Sequence, residues 1–432
     1  MHNKIINNNI HDKLNNEINK IRNNYDKIYT LKNKYKDLTY LKTYTIDDTS
    51  TIEIDDAISL EKISNNYKLW VHIASPASYI NYDSFIDKYA RKQISSLYLA
   101  SSTIYMFPIE LITDIFNLSN NDKRTSLSIG VILNDDGSIF SYEIVQSYVK
   151  STYRLSYSEA DELIYYSPKE EEDLSIISKL LENRNRFRKS IGAKEILESQ
   201  GKVIVKNQIP NIKVIDQTLS RCLISEAMIL YGDLISQFTQ KNDIPIPYRV
   251  QERCGYYNKD NNINTDNIVL FNFLIKKRFG KTYYSSKPMK HYSLGLNSYS
   301  HATSPIRRYA DLLVHYQINR YLNNKNIIEK KCIDSNIQLI NNLSRENINK
   351  SREDQKIWLG KWFKKNSFNQ YRVILLSWIN RNKKISIIYF IEYKFPTICL
   401  LETKLDLQIG QIICIKDITY DYNDILNFRL MT

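Results

Sequence analysis

The succession of hydrophobic periodicities along the chain limits what it can fold into. From Tyr44 to about Tyr148, strand-like runs dominate, among them the apolar and β-branched segments 69–74 and 128–133. Helical spacing then prevails in the later segments 156–200, 221–241, 304–323 and 333–366. Because strands come first and helices follow, the sequence predicts an α+β fold with one large mixed domain.

Both ends of the chain differ from this central part. Apolar residues recur at helical spacing within residues 1–40, which predicts a helix packed on the main domain. Several short strand-like runs follow from Tyr371 onward, a pattern that suits a small OB-type barrel or a generic β-sandwich. We therefore predict a helical segment at 1–40, a mixed domain at 41–366 and an OB-like β domain at 367–432.

Composition excludes several classes of protein. The chain is 43% hydrophobic and 25% charged, as in soluble folded proteins, and it holds no apolar run long enough to cross a membrane. Its five scattered cysteines include no Cys-x-x-Cys pair, which argues against a disulfide framework or a zinc ribbon. A net charge of +13 favours a polyanionic partner. Abundant Asn, Lys, Ile and Tyr also indicate an A/T-rich genome, which predicts a plastid-encoded protein or, alternatively, a bacterial cytoplasmic one.

Carboxylates are concentrated in one short stretch of this basic protein, at Asp47, Asp48, Glu53, Asp55 and Asp56. Like charges at short range raise each other's pKa, and one or two divalent cations such as Mg²⁺ would relieve the repulsion. A solvated acidic turn is the structural alternative. A calcium loop of the EF-hand type is disfavoured because its glycine and final glutamate are missing. The stretch therefore favours Mg²⁺-dependent phosphodiester chemistry.

The same stretch raises a question of strand geometry. Residues 45–46 and 52–54 resemble short strand ends separated by turn formers. In an ideal strand, neighbouring side chains point to opposite faces, so Asp55 would point away from Asp56. Either the backbone bends there or the two residues serve different partners. We expect the backbone of residues 54–57 to depart from a regular strand.

A second dense motif, at residues 301–311, combines a predicted helix start with two arginines. Ser304 is a favourable N-cap, and the proline after it suits the first helical position. Arg307 and Arg308 would then lie in the first turn, where cations oppose the helix dipole unless a phosphate binds there. The alternative is that Asp311 pairs with one of the two arginines.

Together these motifs resemble the ribonuclease II / ribonuclease R family of 3′→5′ exoribonucleases. The resemblance runs from about Thr45 to about Trp362 and includes Thr45-Ile-Asp47, Asp55-Asp-Ala57, Val71-His-Ile-Ala74, Asp87-Lys-Tyr-Ala-Arg91, Ser96-Leu-Tyr-Leu99, Glu226-Ala-Met228, Pro247-Tyr-Arg249 and Thr303-Ser-Pro-Ile-Arg-Arg-Tyr-Ala-Asp311. It implies an RNB-type catalytic domain followed by an S1 domain of the OB type. It also implies hydrolysis of single-stranded RNA to nucleoside 5′-monophosphates with Mg²⁺, or with Mn²⁺ in its place.

By motif position, the resemblance implies a role for each site residue. Asp47, Asp55 and Asp56 match aspartates that hold metal and activate water. Glu53 falls where many members have a further metal-binding aspartate. Arg307 matches the arginine that contacts the scissile phosphate. Further RNA contacts are implied for Tyr98, which would stack on a base, and for Arg91, Ser304, Arg308 and Glu353.

The resemblance also has departures and alternatives. Family members normally carry cold-shock domains ahead of the catalytic domain, whereas only residues 1–40 stand there, so we expect a short form with a weaker grip on RNA. The competing interpretation is an RNA-binding homologue that has lost catalysis, and the retained carboxylates argue against it. We expect a monomer without a membrane partner. His72, on an apolar strand, is interpreted as a hydrogen-bonded core residue.

Overall fold

The computed structural model of the protein describes residues 2–29, 34–64, 66–118, 121–194, 196, 198–254, 267–366, 370–403, 406–415, 417–420 and 428–431. Its α-helices are α1 (His2–Tyr29), α2 (Phe85–Gln93), α3 (Ile109–Leu111), α4 (Tyr157–Tyr166), α5 (Glu172–Ser190), α6 (Leu219–Lys241), α7 (Ile268–Lys277), α8 (Tyr309–Leu322) and α9 (Lys330–Lys365). Its first strands are β1 (Lys36–Asp37), β2 (Thr43–Ile46), β3 (Asp56–Ile63), β4 (Asn66–Ala74), β5 (Leu97–Tyr98), β6 (Thr103–Ile104), β7 (Arg124–Leu133), β8 (Ile139–Val149), β9 (Tyr153–Leu155), β10 (Gln200–Lys206) and β11 (Ile209–Ile215). The later strands are β12 (Tyr248–Arg253), β13 (Phe279–Ser285), β14 (Tyr371–Asn380), β15 (Ile385–Phe390), β16 (Phe395–Glu402), β17 (Ile412–Ile415), β18 (Asp417–Tyr420) and β19 (Phe428–Met431).

A seven-stranded sheet forms the centre of the mixed domain, in the order β1-β8-β7-β4-β3-β2-β9. Its outer pairs β1–β8 and β2–β9 are parallel, and its inner pairs are antiparallel. Along β4, Leu69 and Val71 join the core that α4, α5 and α6 cover, while Trp70 joins the core on the other face. Both faces of the sheet are therefore buried, which explains why its strands are recognised in the sequence as apolar runs.

Helix α8 runs through the interior of this domain, with every residue from 309 to 319 buried. It begins at Tyr309 and not directly after Ser304, as the sequence predicted. The backbone N–H groups of Arg307 and Arg308 donate to the carbonyl of Ser304 at 3.2 and 2.8 Å, which forms a tight turn ahead of the helix. The prediction that both arginines lie in the first helical turn is therefore wrong.

Two buried carboxylates explain why the helix begins late. Asp311 accepts a hydrogen bond from the N–H of Ser304 at 2.8 Å. Asp55, from the other end of the chain's mixed domain, accepts one from the N–H of Ile306 at 3.0 Å. Because these amides are satisfied by side chains, the turn does not need helical hydrogen bonds. A local rule for N-caps could not include Asp55, which is distant in sequence.

The C-terminal strands form a six-stranded sheet in the order β17-β14-β15-β16-β19-β18. Its two edge strands, β17 and β18, are separated in the chain only by position 416, which lies outside the described residues. Strands so close in sequence can lie at opposite edges only if the sheet curls round to bring those edges together. The sheet therefore curls into a small barrel of the OB type. The predicted α+β fold with a C-terminal OB-like barrel is confirmed.

Helix α9 joins the mixed domain to the barrel. Its N-terminal half packs Ile333, Ile337 and Ile340 into the core of the mixed domain. Its C-terminal half packs Trp358 and Phe363 into the core of the barrel. The domain division at 366 and 367 stays a prediction, since residues 367–369 lie outside the described part of the chain. Within that part, no helix is long and apolar enough to span a membrane.

Candidate active site

The acidic stretch lies in a loop between two neighbouring strands of the central sheet. Strand β2 ends at Ile46 and β3 begins at Asp56, so the residues between them return to the same end of the sheet. Residues 51–55 do not form a strand, and two of their backbone carbonyls accept hydrogen bonds from a loop side chain and from the end of β4. The carbonyl of Ile52 accepts from Asn117 Nδ2 at 2.7 Å, and that of Asp55 accepts from the N–H of Ala74 at 2.7 Å. The expected departure from strand geometry holds for residues 54 and 55 but not for Asp56 and Ala57, which pair in regular register within β3, and the predicted strand at 52–54 is wrong.

The loop lines a cavity of about 390 Å³. All the carboxylates of the acidic stretch contribute to it, and Arg307 and Tyr98 face them across the same space. The remaining lining residues are Ser50, Thr51, Ile52, Thr103, Tyr105 and Lys202. The structure therefore brings together two motifs that are distant in the chain, since Asp55 and Arg307 are 252 positions apart.

Asp55 connects the acidic loop to the arginine motif. Its carboxylate is buried and accepts from the N–H of Ile306 and from Arg307 Nε, each at 3.0 Å. Burial raises the pKa of Asp55 to about 7, although the charge of Arg307 and the Ile306 hydrogen bond both favour the ionised form. The Arg307 side chain is 36% exposed and lines the cavity. Asp55 thus positions Arg307 at the edge of the cavity and does not point away into the core.

Asp47 and Asp56 lie beside this ion pair. Burial, together with the charges of Asp47 and Asp55, raises the pKa of Asp56 well above its usual value. Burial also raises the pKa of Asp47 to about 6, while the charge of Arg307 lowers it. Carboxylates that raise each other's pKa gain free energy from a cation placed between them. The group is therefore electrostatically prepared to bind a positive charge.

The donor set is consistent with Mg²⁺. Within the described residues, no three Asp, Glu, His or Cys side chains already surround a metal position. Mg²⁺ does not require such a cage, because it usually keeps several waters and takes one or two protein carboxylates together with substrate phosphates. Asp47 and Asp56, whose hard oxygen atoms line the cavity, could hold such a hydrated ion.

Glu53 occupies a different part of the same cavity. Its Oε1 accepts from the hydroxyl of Ser96 at 2.5 Å and its Oε2 from the hydroxyl of Tyr98 at 2.6 Å. Burial raises the pKa of Glu53, and these two hydrogen bonds oppose that effect. Glu53 therefore fixes the ring of Tyr98 at the cavity wall. Both of its oxygens already accept hydrogen bonds from protein side chains. Its role as a metal ligand stays a prediction.

Arg308, next to Arg307, does not line this cavity. Its guanidinium donates to Asp311 Oδ2 at 2.7 Å and to the hydroxyls of Thr303 and Ser304 at 3.2 Å. Ser304 is itself buried, with 2% exposure. The proposed alternative for the motif, in which Asp311 pairs with one arginine, is thus realised by Arg308, while Arg307 pairs with Asp55.

Two further residues predicted to contact RNA also lie elsewhere. Arg91 donates to the hydroxyl of Tyr309 at 2.9 Å and to Asp87 at 2.6 Å, in a network that joins α2 to α8. Glu353 is exposed on α9 and does not line the cavity. Its neighbour Asp354 instead accepts a hydrogen bond from the N–H of Ala100 at 2.6 Å. The RNA-binding roles of Arg91, Ser304, Arg308 and Glu353 stay predictions.

Tyr105 and Lys202 also line the cavity, and neither was predicted from the sequence as a site residue. Tyr105 follows the short strand β6, and Lys202 lies on β10, beyond helices α4 and α5. Neither residue belongs to a dense motif. Lys202 is one of many lysines in a basic chain, so only its position in space distinguishes it.

Known proteins resemble this chain in sequence. The sequence profile of the RNB domain matches residues 35–324. An uncharacterized ribonuclease of Synechocystis is 32% identical over 359 residues, which cover 82% of this chain and 54% of that protein. Ribonuclease II, chloroplastic/mitochondrial, of Arabidopsis thaliana is 32% identical over 299 residues, which cover 66% of this chain and 36% of that protein. The chain thus spans about half the length, or less, of these relatives.

Solved structures share the fold. The apo form of RNase R from Mycoplasma genitalium matches with a TM-score of 0.81 and 21% identity, over 94% of this chain and 74% of that one. Yeast Ssd1, described as a pseudonuclease, matches with a TM-score of 0.68 and 16% identity, over 85% of this chain and 50% of that one. At such identities the likeness concerns the fold alone. The domain match and the curated relatives confirm the resemblance drawn from the motifs, and the chain belongs to the RNB family of ribonucleases II and R.

Proposed function

We propose that the protein is a hydrolase that degrades single-stranded RNA from its 3′ end and releases nucleoside 5′-monophosphates. One observation carries the proposal: Asp47, Asp55, Asp56, Arg307 and Tyr98 line a single cavity. Carboxylates hold divalent cations, arginine binds phosphate, and an aromatic ring stacks on a base. These are the groups that cleavage of a terminal phosphodiester requires. Relatives named ribonuclease II and ribonuclease R support the same activity.

Each residue has a defined task in this proposal. Tyr98, fixed by Glu53, would stack on a base near the 3′ end. Arg307, positioned by Asp55, would bind the scissile phosphate and stabilise the charge that develops on it. Asp47 and Asp56 would hold Mg²⁺ or Mn²⁺, with Asp55 and Glu53 as further candidate ligands. When bound, the metal supplies Lewis acidity and an activated water for in-line attack.

The setting of the activity is also part of the proposal. RNase R of Mycoplasma genitalium has been solved in complex with ribose methylated single-stranded RNA, which supports single-stranded RNA as the substrate class. A cyanobacterial relative and a chloroplastic or mitochondrial plant relative favour a plastid location. We propose a role in RNA processing and decay and a monomeric state.

The Asp56→Asn variant tests the activity. With 5′-labelled single-stranded RNA and Mg²⁺, the parent should give a ladder of shortening products, and EDTA should abolish it. The variant should lose at least about 100-fold in rate, the usual effect of removing one main electrostatic contributor. Asp135→Asn makes the same charge change in an exposed turn and should behave as the parent does. Parent-like degradation by the Asp56→Asn variant would overturn the assignment.

A catalytically impaired RNA-binding protein is the second candidate, because the fold is shared with a pseudonuclease. The same gel separates the two functions. A shift of the labelled RNA without shortening in Mg²⁺ would mean that the protein only binds RNA. Internal fragments in place of a ladder would mean endonuclease chemistry at the same cavity. The retention of Asp47, Asp55, Asp56 and Arg307 in one cavity favours the exonuclease.

A further inference from the structure

Two lysines lie directly opposite each other on the hairpin β10–β11, beside the active-site cavity. Lys202 on β10 is the register partner of Lys213 on β11. Residues paired in this way have Cβ atoms about 4.5–5.5 Å apart, and like charges there destabilise the hairpin. Negative charge near both side chains would relieve this repulsion. The position of the hairpin indicates which negative charge is available.

One lysine is already partly neutralised, and the other is not. Lys213 Nζ lies 3.9 Å from Asp48 Oδ1, a long contact for an ion pair. Asp48 has a closer partner in Arg221, whose Nη2 lies 2.7 Å from the same oxygen. Lys202 is exposed and lines the cavity, and among the described residues it forms no salt bridge. A cationic side chain without an ion-pair partner among the described residues thus lines the same cavity as the carboxylates and Arg307.

The hairpin is held rigidly in this position along the free edge of β10. The N–H of Gly201 donates to the carbonyl of Lys394 in the barrel at 2.8 Å, and the N–H of Val205 donates to the carbonyl of Ala100 at 2.9 Å. Between them, Val203 exchanges hydrogen bonds with the side chain of Gln355 on α9, each at 3.3 Å. Three separate parts of the protein therefore fix the strand that carries Lys202.

Gly201 makes this attachment possible. A Cβ atom built at Gly201 would lie 1.8 Å from the carbonyl oxygen of Tyr393, so only glycine allows β10 to approach the barrel this closely. Val203 and Val205, on the same side of the strand, pack against the barrel core. Because side chains alternate along a strand, Lys202 must face the other way, towards the cavity. The barrel thus positions a residue of the catalytic cavity.

We propose that Lys202 and Lys213 form a phosphate clamp at the edge of the cavity, which holds the RNA backbone upstream of the phosphate bound by Arg307. This inference rests on the proposed ribonuclease function. Arg307 is committed to Asp55 on one side and supplies the contact at the scissile bond. The clamp supplies the contacts to the phosphates that precede the scissile one. The RNA backbone is then held by cations on both sides of the carboxylates, which would otherwise repel it. Lys202 is a positioning residue in this scheme and takes no part in the chemical step.

The salt dependence of RNA binding tests the clamp. Binding of a single-stranded oligonucleotide is measured in the full chain with Asp56→Asn, which prevents degradation, over a range of KCl concentrations. Lys202→Gln should lower the slope of log K against log salt by about 0.7, the value for one lost phosphate contact on a single strand. The double change with Lys213→Gln should lower it by about 1.4. Lys202→Arg should restore the slope.

Lys206→Gln is the matched control. Lys206 is an exposed lysine on the same strand and the same side as Lys202, but it does not line the cavity. The Lys206→Gln variant should therefore leave the slope of log K against log salt unchanged. In the catalytically intact protein, Lys202→Gln should raise KM by roughly 3- to 10-fold, the order of affinity lost with one phosphate contact, while kcat changes less than about 2-fold.

Three results obtained with the variants would overturn the clamp. The slope could stay unchanged in Lys202→Gln, or Lys206→Gln could lower it equally, which would mean a diffuse charge effect. A fall in kcat with an altered Mg²⁺ requirement would mean that Lys202 neutralises the cavity carboxylates instead. Failure of the proposed ribonuclease function can be distinguished from failure of the clamp. A parent protein that binds RNA but does not shorten it is no nuclease, and the salt slopes of the variants still test the clamp. A parent that binds no single-stranded RNA would refute both.

Discussion

Strand β3 contributes to two clusters of buried polar side chains. In one cluster the polar atoms are paired with one another by hydrogen bonds, and in the other they are not. In the middle of the strand, Ser59 contacts His72 Nε2 at 2.7 Å, and His72 Nδ1 contacts Ser128 at 2.7 Å. Ser126 and Ser147 extend this chain of hydroxyl groups. Every member is neutral and has a partner. Such a network stabilises one arrangement of the sheet and has no capacity left for a ligand.

At the start of the same strand the situation is reversed. Asp56 lies near Asp47 and Asp55, and their charges together raise its pKa. Arg307 and Lys202 are the cations among the described residues that line the cavity, and Arg307 is bound to Asp55. Negative charge is therefore in excess where the strand opens into a cavity. Buried polarity alone therefore does not mark a functional site. An unbalanced charge that faces open space does.

The largest effect is expected in the free energy of unfolding, to which the neighbours Asp55 and Asp56 should contribute differently. Asp55→Ala removes the partner of Arg307 and the acceptor of the Ile306 N–H, so it should lower the free energy of unfolding by about 2–3 kcal/mol, somewhat less than for a fully buried pair. Asp56→Ala removes like-charge repulsion and should leave the free energy of unfolding unchanged or higher. Urea unfolding without divalent cations measures both.

A matched comparison guards against general damage to the loop. Ser50→Ala changes a cavity residue without altering charge and should be within about 0.5 kcal/mol of the parent. If Asp55→Ala and Asp56→Ala destabilised the protein equally, both carboxylates would belong to satisfied pairs. The contrast between the two ends of β3 would then be wrong.

Much of the site could be predicted because its residues lie in compact motifs. Asp47, Asp55 and Asp56 fall within ten positions, and the crowding of charge is visible without coordinates. Tyr98 and Arg307 were assigned by family resemblance, and the structure places both in the cavity. The strand and helix segments were also predictable, since burial of both sheet faces and of α8 imposes strong apolar patterns.

The remaining features depend on contacts between distant residues. Arg307 and Arg308 are chemically alike and adjacent, yet Asp55 pairs with one and Asp311 with the other. The late start of α8 follows from the same carboxylates. Lys202 lies at the cavity because Gly201 lets β10 approach the barrel closely. No local propensity contains this information, since each case is decided by a partner brought in by the fold.

A smaller effect is expected when the satisfied network is broken. His72→Leu keeps an apolar side chain of similar size but leaves the hydroxyl of Ser59 without its partner in a fully buried position. The free energy of unfolding should fall by about 1–3 kcal/mol, the cost of one buried polar group left unsatisfied. RNA affinity, measured by gel shift, should not change. A loss of RNA affinity at unchanged stability would place His72 in the functional site and not in the core.

The smallest effect concerns pH. Burial lowers the pKa of His72 to about 3, below the ordinary value near 6.5 that it has in the unfolded chain. Between these values the unfolded chain binds a proton that the folded protein excludes, so the stability from neutral His72 is present above pH 6.5 and declines as the pH falls towards 3. Between pH 7 and pH 6 it should amount to about 0.7 kcal/mol. His72→Gln, which keeps hydrogen-bonding capacity without titrating, should remove this part of the pH dependence. Urea unfolding of parent and variant at both pH values isolates His72, because every other titrating group is common to the two proteins. An identical pH dependence would mean that His72 takes up its proton in the folded state, and the hydroxyl network around it would then tolerate charge as the acidic end of β3 does.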